Sequence, residues 1–203
     1  DHIAKATQTL LSSALTPVAV ELLSTNLVKE LDLGKAVGLI VRFQTVIGSV
    51  EEQLQKLLEV GNSLGLNCTR YCDYEVELWN KLKQKIWHSH RKTEIICKIG
   101  VMPNQAVETL NQVALETGLG LIHAGSGLGE LHFNSVNPET ILELRQWCES
   151  IGGFLTVLAA PLEIKQKLDV WGYNQNGLDM MRRIKQKFDP QNILNPHSFV
   201  GGI

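Results

Sequence analysis

The sequence has no excess of positive charge: 19 Lys and Arg stand against 21 Asp and Glu, for a formal net charge of −2. That balance excludes nucleic-acid binding driven by a basic surface, and no acidic block is present to form a solvated tail. Long apolar runs are missing too. The longest, Phe154 to Leu162 with Thr156 inside it, is far too short to cross a bilayer. Cysteine is scarce: Cys68, Cys72, Cys97 and Cys148 are the only four, and the C-x3-C pair has no second pair downstream to close a zinc tetrahedron. Small buried hydrophobes in a reducing compartment are the expected use of these thiols. There is no P-loop, no Ser/His/Asp or Cys/His order and no pair of catalytic carboxylates. A starting Met and a signal peptide are absent as well. Asp1 already lies inside a helical pattern, so the expectation is a fragment of a longer protein.

What is present is an ordinary globular composition. With 203 residues, 44% of them hydrophobic and 20% charged, the chain can bury a core without disulfide staples. Periodicity predicts a helix over 3–14, strands over 18–23 and 38–44, and a helix from Ser49 to Gly65, with Ser49 and Glu52 as a capping box. A short strand over 67–71 follows, then a helix capped by Asp73 with Val76, Trp79, Leu82 and Ile86 on its buried stripe. The second half reads more cleanly, as strand 94–101, a helix from Pro103 to Gly118, strands 120–124 and 130–133, a helix from Asn137 and strand 154–158. This β-α-β-β-α-β order is that of a ferredoxin-like, split βαβ unit, and residues 38–71 read as a partial copy of it. The expected fold class is therefore α+β: an antiparallel sheet with helices on one face, built from duplicated or partly duplicated units.

Three groups of residues invite chemistry. Gly125-Ser-Gly-Leu-Gly129 resembles a phosphate loop, but Glu130 stands at the sixth position and the alternation ELHF follows instead of a helix; a hairpin turn is the expectation. His123 and His132 flank that turn, while His88 and His90 end a helix. One residue of strand register decides whether His123 and His132 share a face, and no metal site is expected. Lys98 interrupts the apolar strand EIICKIGV. Alternation puts Glu94, Ile96, Lys98 and Gly100 on one face, where the lysine either meets solvent or points into a pocket toward an anion.

The tail carries a family resemblance. Trp171-Gly172, the helix containing Met181-Arg182-Arg183-Ile184-Lys185, then Phe188-Asp189-Pro190 and Leu194-Asn195-Pro196 follow a K-x2-F/L-D-P-x3-L/F-N-P-G pattern, with His197 in place of the last glycine. This ending is similar to that of FAD-linked oxidases of the vanillyl-alcohol oxidase superfamily. Together with the strand GGFLTVLAAP, it most resembles the FAD-binding E subunit of glycolate oxidase. The resemblance implies an α+β cap or substrate domain over 1–173 and a C-terminal helix and tail over 174–203 that returns to an N-terminal FAD domain. It implies FAD as cofactor, held mainly by that other domain, with Asn195 and Pro196 as flavin-side contacts.

It also implies oxidation of a small 2-hydroxy acid by hydride transfer to flavin, in a cytoplasmic protein peripheral to the inner membrane through its partners. Those partners are a catalytic flavin subunit and an iron–sulfur subunit. Relatives place an Arg on the strand matching 94–101 to bind the substrate carboxylate. Lys98 stands near that position, keeping the charge without the bidentate fork. Of the relatives' metal-binding segment only His123-Ala-Gly-Ser-Gly remains, which makes His123 a pocket residue and assigns no catalytic residue or metal ligand. A rival expectation is a non-catalytic ferredoxin-like module that binds a small ligand or a partner chain.

Overall fold

The computed structural model of the chain describes residues 2–72, 74–86, 94–115, 118–173 and 177–203. Six strands form one sheet: β1 (Ala19–Leu23), β2 (Gly38–Arg42), β3 (Ile95–Gly100), β4 (Leu119–His123), β5 (Leu128–Phe133) and β6 (Phe154–Ala159). Their order is β2-β1-β4-β5-β3-β6, and every neighbouring pair is antiparallel. Among the described residues eight helices accompany them: α1 (His2–Leu11), α2 (Thr25–Glu30), α3 (Ile47–Ser63), α4 (Glu75–Ile86), α5 (Ala106–Leu115), α6 (Pro138–Ser150), α7 (Leu162–Lys165) and α8 (Leu178–Phe188).

Strand alternation sorts the side chains into two faces. On the first, Val20, Leu22, Ile122, Leu131, Cys97, Ile99, Leu155 and Val157 are buried against Ala106, Leu110 and Val113 of α5 and Ile141, Leu144 and Cys148 of α6, with Leu10 of α1 closing one end. On the second, Leu23 and Leu121 meet Leu27 and Val28 of α2 and Leu82 and Ile86 of α4. Toward β6 this second face opens to solvent, where Leu128, Lys98, Phe154 and Leu158 are exposed. Full burial of one such aliphatic side chain is worth about 1.5–3 kcal/mol, so the double layer on the first face supplies most of the hydrophobic stabilisation.

The α+β expectation holds, with an antiparallel sheet flanked by helices. Three parts of it are corrected. Helices cover both faces of the sheet, not one. Residues 38–71 contain no second β-α-β unit: 67–71 are exposed and irregular, and β1 pairs directly with β2, so the N-terminal region widens the sheet at its edge. Ser49 does not cap α3, which starts at Ile47 after Val46; instead the Ser49 hydroxyl accepts from the Gln53 side chain at 3.3 Å within the helix. The helix α2 has no counterpart in the periodicity. Six residues give too short a stripe to register, and Ser24 fixes its start by accepting from the Leu27 amide at 3.4 Å. Asp73 and Asn174 lie outside the described residues, as do His88 and His90.

The cysteines divide as their surroundings dictate. Cys97 and Cys148 are buried, and burial pushes their thiols up to about 12 and about 11. Cys68 and Cys72 are exposed. A thiol reagent at neutral pH is therefore expected to titrate Cys68 and Cys72 in a fast phase, with Cys97 and Cys148 reacting only after unfolding. Four equally fast thiols would contradict the packing of β3 against α6.

Candidate functional site

The open part of the second face is where the sequence-derived candidates meet. Lys98 of β3 stands directly across from Glu130 of β5 on one side and Thr156 of β6 on the other. Its strand neighbours Cys97 and Ile99 point into the core, so alternation sends the Lys98 side chain out to solvent on the face that the sequence pattern marked as mixed. Glu130 stands opposite Leu121, and His123 follows two residues later on the same strand face. Lys98 and His123 thus share one face, two strands apart and roughly 12 Å between Cα positions.

His123 and His132 also share that face, but they do not oppose each other. His132 stands across from Leu119, four residues from His123, which separates the two backbone positions by about 14 Å. His132 is buried and approaches Glu130 at 3.5 Å, whereas His123 is exposed at the end of β4. Among the described residues no group of three or more His, Cys, Asp or Glu side chains is arranged to hold a metal ion.

Two further residues belong to this surface. Glu21 of β1 stands directly opposite His123, and one of its carboxyl oxygens is buried without a hydrogen-bond partner. Burial raises the Glu21 carboxyl above its ordinary value, and the nearby His123 ring pulls partly the other way. Its sequence signal is an acid inside the apolar strand VAVELL, and the pairing of β1 with β4 is what sets it opposite His123. Thr156 completes the Lys98 row. Its hydroxyl donates to the Trp171 carbonyl at 3.0 Å, and that bond ties the chain after α7 to the edge of β6.

The glycine-rich segment is a hairpin turn between β4 and β5, as its sequence implied. The Gly127 amide donates back to the His123 carbonyl at 2.9 Å, and the Gly127 carbonyl accepts from the Val101 amide at 3.0 Å. These backbone groups are consumed by the turn, so they do not form a phosphate cradle.

The tail is built around Trp171 and Asp189. The Asp169 carboxylate accepts from the Trp171 and Gly172 amides at 3.0 and 3.1 Å, and the Trp171 indole donates to the Ser198 carbonyl at 3.3 Å while meeting the Phe199 ring edge-on at 5.4 Å. Asp189 accepts from the Ile193 and Leu194 amides, each at 2.9 Å, and from Lys185 at 2.6 Å. Those bonds hold its carboxyl down to about 2, the Lys185 contact first among them. A depressed carboxyl contributes to folding above its unfolded value near 4, and the contribution fades as pH falls toward 2. The protection of the Ile193 and Leu194 amides, taken relative to intrinsic exchange at each pH, is accordingly expected to fall between pH 4 and about 2, and Asp189→Asn to lower it at neutral pH. Unchanged exchange in the variant would show that the turn holds without the carboxylate.

Asn195 and Pro196 lie in an exposed turn, with Asn195 at φ 44° and its carbonyl accepting from Ser198. The structure attaches this turn to the sheet through Trp171 and does not bring Asn195 or Pro196 into the row of Lys98.

Residues 166–198 match the family model described as FAD linked oxidases, C-terminal domain. The matched stretch holds Trp171, Asp189, Asn195 and Pro196, so the tail is similar to that of FAD-linked oxidases over these residues, and the match selects no particular subunit. No curated protein matches the chain.

An exposed ammonium, an exposed imidazole and an orphaned buried carboxyl oxygen share one sheet face, a set of polar groups that could contact such a cofactor. The pyrophosphate side has no counterpart among the described residues, because the one glycine-rich loop is spent on the hairpin.

Proposed function

We propose that the chain is the C-terminal cap domain of an FAD-dependent oxidoreductase acting on a 2-hydroxy acid. The observation that carries this reading is the coincidence of a matching tail with an open sheet face that displays Lys98 and His123 together. In this reading residues 1–173 form the substrate domain, whose 95–159 portion is a ferredoxin-like unit, and residues 174–203 return to a flavin domain encoded upstream. Asn195 and Pro196 would be the contacts on that side.

Bound FAD supplies the hydride acceptor. The chain's own residues do the positioning. The Lys98 ammonium holds the substrate carboxylate as a point charge. The His123 imidazole takes the hydrogen bond of the substrate hydroxyl, and Glu21 stands behind it on the neighbouring strand. Closing the open face against the flavin domain excludes water, which strengthens both contacts. Similarity of the tail to the glycolate oxidase E subunit supports assembly with a second flavin subunit and an iron–sulfur subunit that carries electrons onward, on the cytoplasmic side of a membrane. Among the described residues no helix is long and apolar enough to cross one.

Flavin content tests the reading. Protein purified from the whole reading frame is expected to carry FAD, and residues 1–203 alone to carry none. Stoichiometric FAD on residues 1–203 would overturn the division of labour between domains. A start codon within a few residues of Asp1 would favour the non-catalytic binding module instead.

A further inference from the structure

Next to Lys98 the open face turns apolar. One step along the strands, about 7 Å away, Phe154 of β6 and Leu128 of β5 both stand across from Gly100 of β3. Gly100 has no side chain, and the Phe154 ring leans over it into the space a Cβ would take. Even so, Phe154 is 41% and Leu128 45% exposed, so the two form a small apolar shelf at the strand ends beside the sheet edge.

The charge beside them is available. Among the described residues no carboxylate lies within ion-pair distance of Lys98, and its cross-strand neighbour Glu130 is turned toward His132 at 3.5 Å. A single ammonium with Glu130 on its flank disfavours a dianionic phosphate and suits one carboxylate. The surface therefore presents one exposed ammonium with an apolar shelf about 7 Å away.

We propose that Phe154 and Leu128 set substrate specificity, selecting 2-hydroxy acids that carry an apolar or aromatic side chain over glycolate. The inference rests on the preceding reading of this face as the substrate side. Glycolate satisfies Lys98 and leaves the shelf wet; a larger acid covers the shelf while its carboxylate stays on Lys98.

Binding to residues 1–203, followed by NMR with 3-phenyllactate, glycolate and neutral 2-phenylethanol as probes, tests it without flavin. Phenyllactate is expected to bind roughly tenfold or more tightly than glycolate, the usual reward for filling an apolar subsite, with shifts centred on Lys98 and Phe154. Phe154→Ala should erase the preference and leave glycolate unchanged, and Leu128→Ser provides a second variant should the first not fold. Lys98→Met should weaken both acids. Equal affinities, shifts elsewhere such as the basic face of α8, tight binding of phenylethanol, or no binding at all would each overturn the proposal. If Phe154→Ala lowers FAD retention in the longer protein without changing the acid preference, the shelf is a domain contact and the proposal fails. Absence of FAD from the longer protein, with the phenyllactate preference intact, would instead count against the flavin reading alone.

Discussion

Gly127→Ala is expected to destabilise the chain by about 3 kcal/mol or more, lowering the melting temperature by about 6–12 °C. Gly127 has φ +70°, a region that costs any L residue with a side chain. More importantly, a Cβ there would be built into the Val101 carbonyl oxygen, which is backbone and cannot step aside as a flexible side chain would. Relief would require the turn to give up the bond from the Val101 amide to the Gly127 carbonyl and with it the end of the β3–β5 ladder. Gly125→Ala is the matched control. Its Cβ would meet only the His123 ring at 3.7 Å, an ordinary contact, so its stability should stay within about 0.5 kcal/mol of the parent. Thermal melts of the two variants decide the matter. Equal melting temperatures would mean that the glycines serve something other than the hairpin.

That contrast shows what sequence could and could not reveal. The hairpin was legible because ELHF alternates where a phosphate loop needs a helix. The strands β3, β5 and β6 were legible because apolar residues recur at every second position (Ile95, Cys97 and Ile99; Leu131 and Phe133; Leu155 and Val157) between clear turn signals. The widened edge was not. Whether a segment such as 67–71 becomes a strand depends on tertiary pairing that its own residues do not encode: β2 keeps a free outer edge, and 67–71 does not pair with it. The helix α2 is too short for periodicity and is held by contacts that Leu27 and Val28 make with the sheet.

The site was legible in the same uneven way. Lys98 and His123 announced themselves as charged or titratable groups in apolar strands, yet only the register through Glu130 and Leu121 places them on one face. Glu21 gave a weaker signal of the same kind, and its significance comes from standing opposite His123, a neighbour 102 residues away in sequence. Asn195 and Pro196 were recognisable by motif, but motif resemblance does not say which surface an exposed turn meets.

The second large effect concerns Lys98. The side chain is exposed on the sheet face and contributes little to the core, so Lys98→Met should fold and melt like the parent. On substrate the expectation is different. A charge-assisted contact to a carboxylate is worth about 1.5–3 kcal/mol, and removing it should reduce kcat/KM roughly 10- to 150-fold. Lys98→Arg keeps the charge and offers a bidentate fork, so it should recover much of the loss. His123→Asn probes the hydroxyl contact separately, and it should lower kcat/KM without changing flavin content.

The rate of flavin reduction by a 2-hydroxy acid, measured without oxygen in protein from the whole reading frame, tests the central claim most directly. With flavin content unchanged, Lys98→Met is expected to shift the half-saturating acid concentration upward by one to two orders of magnitude and Lys98→Arg to bring it back. An unchanged concentration dependence in Lys98→Met would contradict the assignment of this sheet face as the substrate side of the protein.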